Sequence, residues 1–243
     1  MNRIKIIILS LAVVALSPVY ISCTKDVPNV GVLDPGLRNG ATVQVFNATV
    51  KSTRNYIYVD GVPVSGAALN YGAIFPATAF AFNVSAGSRS FLIKDTTPTT
   101  LQVPITFTQD MAAGKSYTIF TYDTITSVKQ VTVTNNIVVP SDTTSRLRFG
   151  NFIYNTTAIP AVDVYSFRRG ATPVFSNVAS TTVTDFIPYA AGLTDTLYVY
   201  ATGTTSPLLV KALVPSLVRT RSYTAACSGS YTGTKAIAIF ATY

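Results

Sequence analysis

From residue 43 onward, apolar and polar positions alternate in short runs that Gly, Pro, Asn and Asp interrupt. A period of two is the pattern of a strand with one face buried, whereas a helix repeats every three to four positions. On this pattern residues 43–46, 56–59, 80–84, 90–94, 101–107, 117–122 and 128–133 are predicted strands. No segment of useful length carries a helical period. About seven strands in roughly a hundred residues predict a β-sandwich.

The same order of motifs then returns. Val43-Gln44-Val45-Phe46-Asn47 matches Leu147-Arg148-Phe149-Gly150-Asn151, and Ile57-Tyr58 matches Val164-Tyr165. Ala86-Gly87 before Phe91-Leu92-Ile93 matches Ala191-Gly192 before Leu197-Tyr198-Val199, and Tyr117-Thr118 matches Tyr223-Thr224. The offset stays near 104 to 107 residues, too long for a solenoid unit and right for a whole domain. The expected fold class is therefore all-β, with two tandem antiparallel β-sandwich domains of immunoglobulin or prealbumin type. They occupy 41–133 and 145–243, and the Asn- and Pro-containing stretch 134–144 is the linker. Asp60-Gly61 reads as a tight turn, and Gly87, Gly114 and Gly192 each supply a turn just before a strand.

The first residues follow a different pattern. Arg3 and Lys5 precede an apolar run over 6–16 broken only by Ser10. At about 1.5 Å per residue that run is too short to cross a hydrocarbon core of about 30 Å. A basic start, a short apolar core and small residues mark a secretory signal peptide over 1–22. Ile21-Ser22-Cys23 resembles a lipobox, although Tyr20 stands where an aliphatic residue is usual. The resemblance implies cleavage before Cys23, lipid on that cysteine, and a tether over 23–40. Thr24 points to the outer membrane, and Lys25-Asp26 resembles a shortened surface-export signal of Bacteroidota lipoproteins. The expected location is the cell envelope, on an outer-membrane lipoprotein exposed at the surface.

Composition narrows the chemistry. The chain has ten acidic residues, all Asp, and no Glu, His or Trp. Without His no Ser-His-Asp or Cys-His arrangement can form, and zinc loses its usual nitrogen ligand. No calcium-loop or phosphate-loop motif occurs. The expectation is a non-enzyme without cofactor or metal. Loss of Arg3 and Lys5 lowers the net charge from +8 to +6, and the excess is scattered, so nucleic acid is not expected as a partner. Arg146 with Arg148, and Arg219 with Arg221, each share a strand face and read as solvated. Cys227 alternates with Tyr223 and Ala225 and reads as a small buried hydrophobe. Asp163 has Tyr56 in its place in the first half, so it reads as a local hydrogen-bonding residue.

Two blocks carry a family resemblance. Pro160-Ala161-Val162-Asp163-Val164-Tyr165 and Ile57-Tyr58-Val59-Asp60-Gly61 resemble one signature, and Ala113-Gly114-Lys115-Ser116-Tyr117-Thr118-Ile119-Phe120 resembles a second. Together they resemble the domain-of-unknown-function family 4397 over roughly 41–243, which implies an extracytoplasmic sandwich with no family-wide activity.

Two sets of residues are candidates for function. Tyr56, Tyr58, Tyr165, Tyr198 and Tyr200 have the strand parity to face outward, where flat rings stack on sugars; the alternative is that they pair across the sheet. Thr96, Thr124, Thr143 and Thr196 each follow Asp, and resemble acceptors of Bacteroidota O-glycosylation; Asp-Thr is also a common turn pair. The leading expectation is a non-catalytic, lipid-anchored envelope protein for adhesion or for binding a glycan or protein ligand. The alternatives are a structural or accessory subunit of an outer-membrane complex and a polysaccharide hydrolase.

Overall fold

A computed structural model describes residues 39–78 and 80–243. The expected signal peptide, Cys23 and the tether up to residue 38 lie outside the described residues. Among the described residues no helix is long and apolar enough to cross a membrane.

The first half holds β1 (Gly40–Asn47), β2 (Asn55–Val59), β3 (Val62–Pro63), β4 (Ile74–Phe75), β5 (Phe82–Ser85), β6 (Gly87–Asp95), β7 (Ile105–Met111), β8 (Ser116–Tyr122) and β9 (Lys129–Thr134). The second holds β10 (Ser145–Tyr154), β11 (Val162–Ser166), the one-turn 3-10 helix η1 (Phe167–Arg169), β12 (Phe175–Val178), β13 (Ile187–Tyr189), β14 (Asp195–Ala201), β15 (Val210–Val214), β16 (Ser222–Ser230) and β17 (Lys235–Ala241). Strands β4-β1-β8-β9, with β5 also on β1, form one sheet, and β3-β2-β6-β7 form another. In the second half β13-β10-β16-β17 and β12-β11-β14-β15 repeat that order.

The all-β sandwich is as expected, but its sheets are not purely antiparallel. β1 runs parallel to β8, and β10 parallel to β16. The cause is connectivity: β7 belongs to the other sheet, so the chain crosses over before β8 and enters beside β1 in the same direction, which no hairpin could achieve. Each crossover ends in the same device. The Tyr117 hydroxyl accepts from the Ala112 amide at 3.0 Å, and the Tyr223 hydroxyl accepts from the Val218 amide at 3.0 Å. This is the tyrosine corner of Greek-key sandwiches, here at β7–β8 and at β15–β16.

Three apolar clusters define four stacked layers. One lies between the two sheets of the first half, around Val43, Val45, Ile57, Phe91, Ile93 and Ile119. Another lies between the two sheets of the second half, around Phe149, Val164, Leu197, Val199 and Cys227. The third joins the halves, with Phe46, Ala48 and Phe120 against Phe152, Ala226 and Phe240. Sequence patterns follow this stacking. Strands of the outermost sheets alternate, as in β2 and β14, whereas β1, β8, β10 and β16 are buried along both faces.

At the seam, equivalent places in the two halves carry residues of different size. Phe46 and Phe120 of the first half occupy the places held by Gly150 and Ala226 in the second, while Phe152 holds the place of Ala48. The rings interdigitate: Phe120 stacks on Phe152 at 4.6 Å between centroids and Phe46 on Phe240 at 5.3 Å. Burying a Phe contributes about 1.5–3 kcal/mol, so these four rings alone supply about 6–12 kcal/mol to the joint.

Three local expectations need correction. Arg148 is not solvated; it is 2 % exposed, inside the seam. The expected linker, 134–144, opens inside the fold: Thr134 is the last residue of β9, and Asn135 is buried and bonded to Thr118, Ser116 and Arg148. β7 starts four residues later than expected, because Pro104 has no amide for the ladder and Leu101 points into solvent. Asp60-Gly61 is the expected tight turn, with both residues at positive φ between the paired Val59 and Val62.

Candidate ligand-binding face

The outward tyrosines divide between the two outermost sheets. On β2 the residues alternate, so Ile57 enters the core and Tyr56 and Tyr58 stand on the outer face. Lys94 on the neighbouring β6 lies over the Tyr58 ring, 5.0 Å from its centroid. On the other outermost sheet the register of β11 and β14 sets Tyr165 opposite Tyr198 and Asp163 opposite Tyr200. Tyr165 and Tyr200 meet edge to face at 5.7 Å. The fold thus gathers Tyr165, Tyr198 and Tyr200 and leaves Tyr56 and Tyr58 apart. At the places of Tyr198 and Tyr200 the first half has Leu92 and Lys94, so its face lacks the cluster.

The three rings line a pocket of about 330 Å³ with Phe167, Gly170, Ala171 and Thr205. Phe167 was not among the residues expected to matter. It lies on η1, outside any strand parity, and is 74 % exposed at the rim. The only sequence signal for it is the short turn Ser166-Phe167-Arg168-Arg169-Gly170, closed by a glycine at φ 75°.

A buried carboxylate fixes that rim. Asp195 accepts the Ser166 hydroxyl at 2.5 Å and the Tyr189 hydroxyl at 2.6 Å. It also accepts the Arg168 amide at 3.2 Å and the Thr196 amide at 2.6 Å. Ser166 in turn caps η1 by accepting from the Arg169 amide. Burial alone would raise the Asp195 pKa, but these donors together hold it below its ordinary value. Asp163 shows the same balance: burial is outweighed by the Asn177 and Gly203 amides and the Thr202 hydroxyl, at 2.7, 3.0 and 3.2 Å. It braces the loops beside Tyr200, a structural task of the kind its sequence context indicated.

Positive charge borders this face. Lys211, the ladder partner of Tyr198, is exposed, and Arg168 and Arg169 follow Phe167. Among the described residues none of the three lies in an ion pair. The Arg169 guanidinium sits over the Tyr189 ring and donates to the Pro188 carbonyl, which keeps it at the base of the sheet.

The Asp of each Asp-Thr pair bonds the backbone just ahead of it, three of them at a strand end or in a loop and Asp195 at the start of β14. Asp95, Asp123, Asp142 and Asp195 each accept an amide one or two residues onward. Thr96 and Thr143 are exposed in turns; Thr124 and Thr196 are half-buried. Cys227 is fully buried in the core of the second half, and burial pushes its thiol up to about 12. Among the described residues no cluster of His, Cys, Asp or Glu is arranged to hold a metal ion.

Comparison with known families fits this architecture. The model of one family, Domain of unknown function (DUF4397), matches residues 41–165, which span the first half and the first two strands of the second. The chain belongs to that family. No curated protein matches the chain.

Proposed function

We propose that this is a non-catalytic, lipid-anchored protein of the bacterial outer membrane, facing the cell surface, that binds a glycan. In this reading it is built from two tandem copies of the family domain and attached through Cys23. The observation that carries it is the pocket shared by Tyr165, Tyr198, Tyr200 and Phe167 on the outer face of the second half. Flat aromatic faces flanked by hydroxyls match a sugar ring, which offers C–H groups on one face and hydroxyls at its edge. The rigid setting adds to this, because β11 and β14 fix three of the rings and Asp195 fixes the turn that bears the fourth.

A role as accessory subunit for another protein has less support. The apolar faces of β1, β8, β10 and β16 that lie outside the two sandwich cores cover one another in joining the halves. A hydrolase needs paired carboxylates open to a substrate, whereas Asp163 and Asp195 are engaged by amides and hydroxyls of neighbouring strands and turns.

The test is binding of the purified protein to a glycan array, followed by titration calorimetry with the best ligand. Tyr198→Ala and Tyr200→Ala should each weaken binding at least tenfold, and Tyr56→Ala should not change it. Binding that is unaffected by the Tyr198 and Tyr200 changes, or no binding to any glycan, would refute the reading.

A further inference from the structure

We infer that the end of the body at which the chain enters β1 rests directly on an anionic membrane surface. This rests on the proposed lipid anchor but not on glycan binding.

Four central strands begin at this end. β1 is parallel to β8 and β10 to β16. The two pairs are held level by the Gln44 amide on the Ala241 carbonyl and by Arg148 bridging Thr118 and Thr224. The connections that meet there expose apolar side chains that a water-facing loop does not need. Phe80, Val138, Val139, Leu193, Val218 and Tyr243 are all exposed, Val138 at 69 %. At the opposite end the corresponding residues are Leu101, Val103 and Leu208.

The charge at the same end is complementary to acidic lipid. Lys115, Arg219 and Arg221 are exposed, and among the described residues none forms an ion pair. Arg221 lies over the Phe80 ring, 4.6 Å from its centroid, which joins cation and aromatic in one unit. Asp142 is neutralised by Arg146 at 3.2 Å and Asp60 by Arg89 at 3.0 Å, which leaves Asp110 and Asp185 as exposed acids near this end. At the foot of the seam a cleft of about 830 Å³ opens between Phe80, Lys115, Val138, Val139 and Tyr243, wide enough for a lipid headgroup. Apolar and aromatic tips ringed by Lys and Arg are what interfacial membrane contacts use: the tips enter the headgroup layer and the cations meet its negative potential.

Position agrees with chemistry. Chain geometry limits the sixteen steps from Cys23 to Asn39 to about 55 Å, and they lead into this end of the body. Asn39, where the tether joins the body, lies at this end, so an anchored Cys23 keeps this end's attachment point within about 55 Å of the bilayer. Lipid attachment supplies the local concentration, and the contact sets the orientation. The rings of Tyr165, Tyr198 and Tyr200 lie on the side of the outermost sheet, while Phe167 at the pocket's rim belongs to the turn beside Thr194 and Pro188, at the end that meets the membrane.

The test uses the full chain, purified from host membranes and reconstituted in vesicles with or without about one third anionic lipid. A fluorophore is placed on Val139→Cys, Val218→Cys or Leu101→Cys, and quenching by spin-labelled headgroups is measured. At Val139 and Val218 quenching should exceed that at Leu101 at least twofold in anionic vesicles. The excess should vanish in zwitterionic vesicles and in the variant Lys115→Glu/Arg219→Glu/Arg221→Glu. Each cation near an anionic surface is worth about fivefold in partitioning, so loss of three cations alone weakens the contact about a hundredfold, and their reversal to Glu should weaken it further. Lys115→Glu alone, at an exposed turn, repeats the test in a background that cannot fail to fold for lack of a buried contact. Vesicle-bound protein with equal quenching at all three sites overturns the inference while leaving the anchor intact. Shielding of Val139 from aqueous iodide without lipid quenching identifies a protein at this face instead, and also overturns it. Failure to float with the vesicles overturns the anchor itself, and with it this inference.

Discussion

Arg148 is a cation buried in the seam, and replacing it asks what holds the halves together. Its Nε donates to Thr224 at 2.9 Å, and one terminal nitrogen donates to Asn135 at 2.7 Å and Thr118 at 3.1 Å. The guanidinium lies over the Phe186 ring at 4.7 Å. Burial lowers its pKa to about 9, so it remains charged at pH 7. Hydrogen bonds from a charged donor contribute about 1.5–3 kcal/mol each, but taking the ion out of water costs several kcal/mol, and the two nearly cancel. Each acceptor, moreover, keeps another partner when the arginine is removed. Thr118 donates to Asn135 at 3.0 Å, and Thr224 pairs with Thr242 at 2.7 Å. Arg148→Met, which fills the space with an apolar chain, should therefore cost less than about 1 kcal/mol. Arg148→Ala leaves a void between packed layers and should cost about 2–5 kcal/mol. Urea unfolding followed by circular dichroism would measure both, and thermal midpoints should differ by about 2–4 °C per kcal/mol. If the Met variant is as unstable as the Ala variant, volume is not what Arg148 supplies, and the cancellation argued above is wrong.

Three further outcomes follow from buried groups and exposed turns. The native state binds fewer protons than the unfolded state where Asp163 and Asp195 are held below their ordinary value of 3.8. Their stabilisation is present above that value and is lost as pH falls through the lower folded one. The urea midpoint should therefore drop below about pH 4, and Asp195→Asn should flatten the drop while costing about 1–3 kcal/mol at pH 7. Cys227, with its thiol raised to about 12, should resist alkylation in the native protein at pH 8 and react fully in denaturant; fast native labelling in a thiol assay would contradict its placement. If the chain is O-glycosylated in its native host, the sugar should sit on the exposed Thr96 and Thr143 rather than on Thr124 or Thr196. Intact mass and peptide mapping would decide this, and a mass equal to the lipidated polypeptide alone would exclude modification.

Local chemistry could be read along the chain because it depends on near neighbours. Alternation marked β2, β6 and β14, Asp60-Gly61 marked the tight turn, and parity put Tyr198 and Tyr200 on an outer face. The matched pairs Val43 with Leu147 and Tyr117 with Tyr223 fall at equivalent places in ladders of the same order. Cys227 read correctly as core, since its apolar neighbours on the strand decide its burial. Where the meaning of a residue depends on what faces it from elsewhere, the pattern misleads. Gln44, Thr118, Arg148 and Thr224 alternate with apolar residues as a solvated face would, yet all four are buried. A polar side chain tolerates burial once its hydrogen bonds are met; Thr118, Arg148 and Thr224 find partners 13 to 76 residues away, and Gln44 finds one through its Nε2 on the Ala241 carbonyl, 197 residues away. The pocket has the same origin. Strand parity names five outward tyrosines, but only the pairing of β11 with β14, and the turn pinned by Asp195, brings three of them to Phe167. The sequence by itself determined which residues form strands and which way they point; the tertiary structure alone decided which faces meet, because contact between distant segments is set by complementary shape and satisfied polar groups that no single stretch of chain contains.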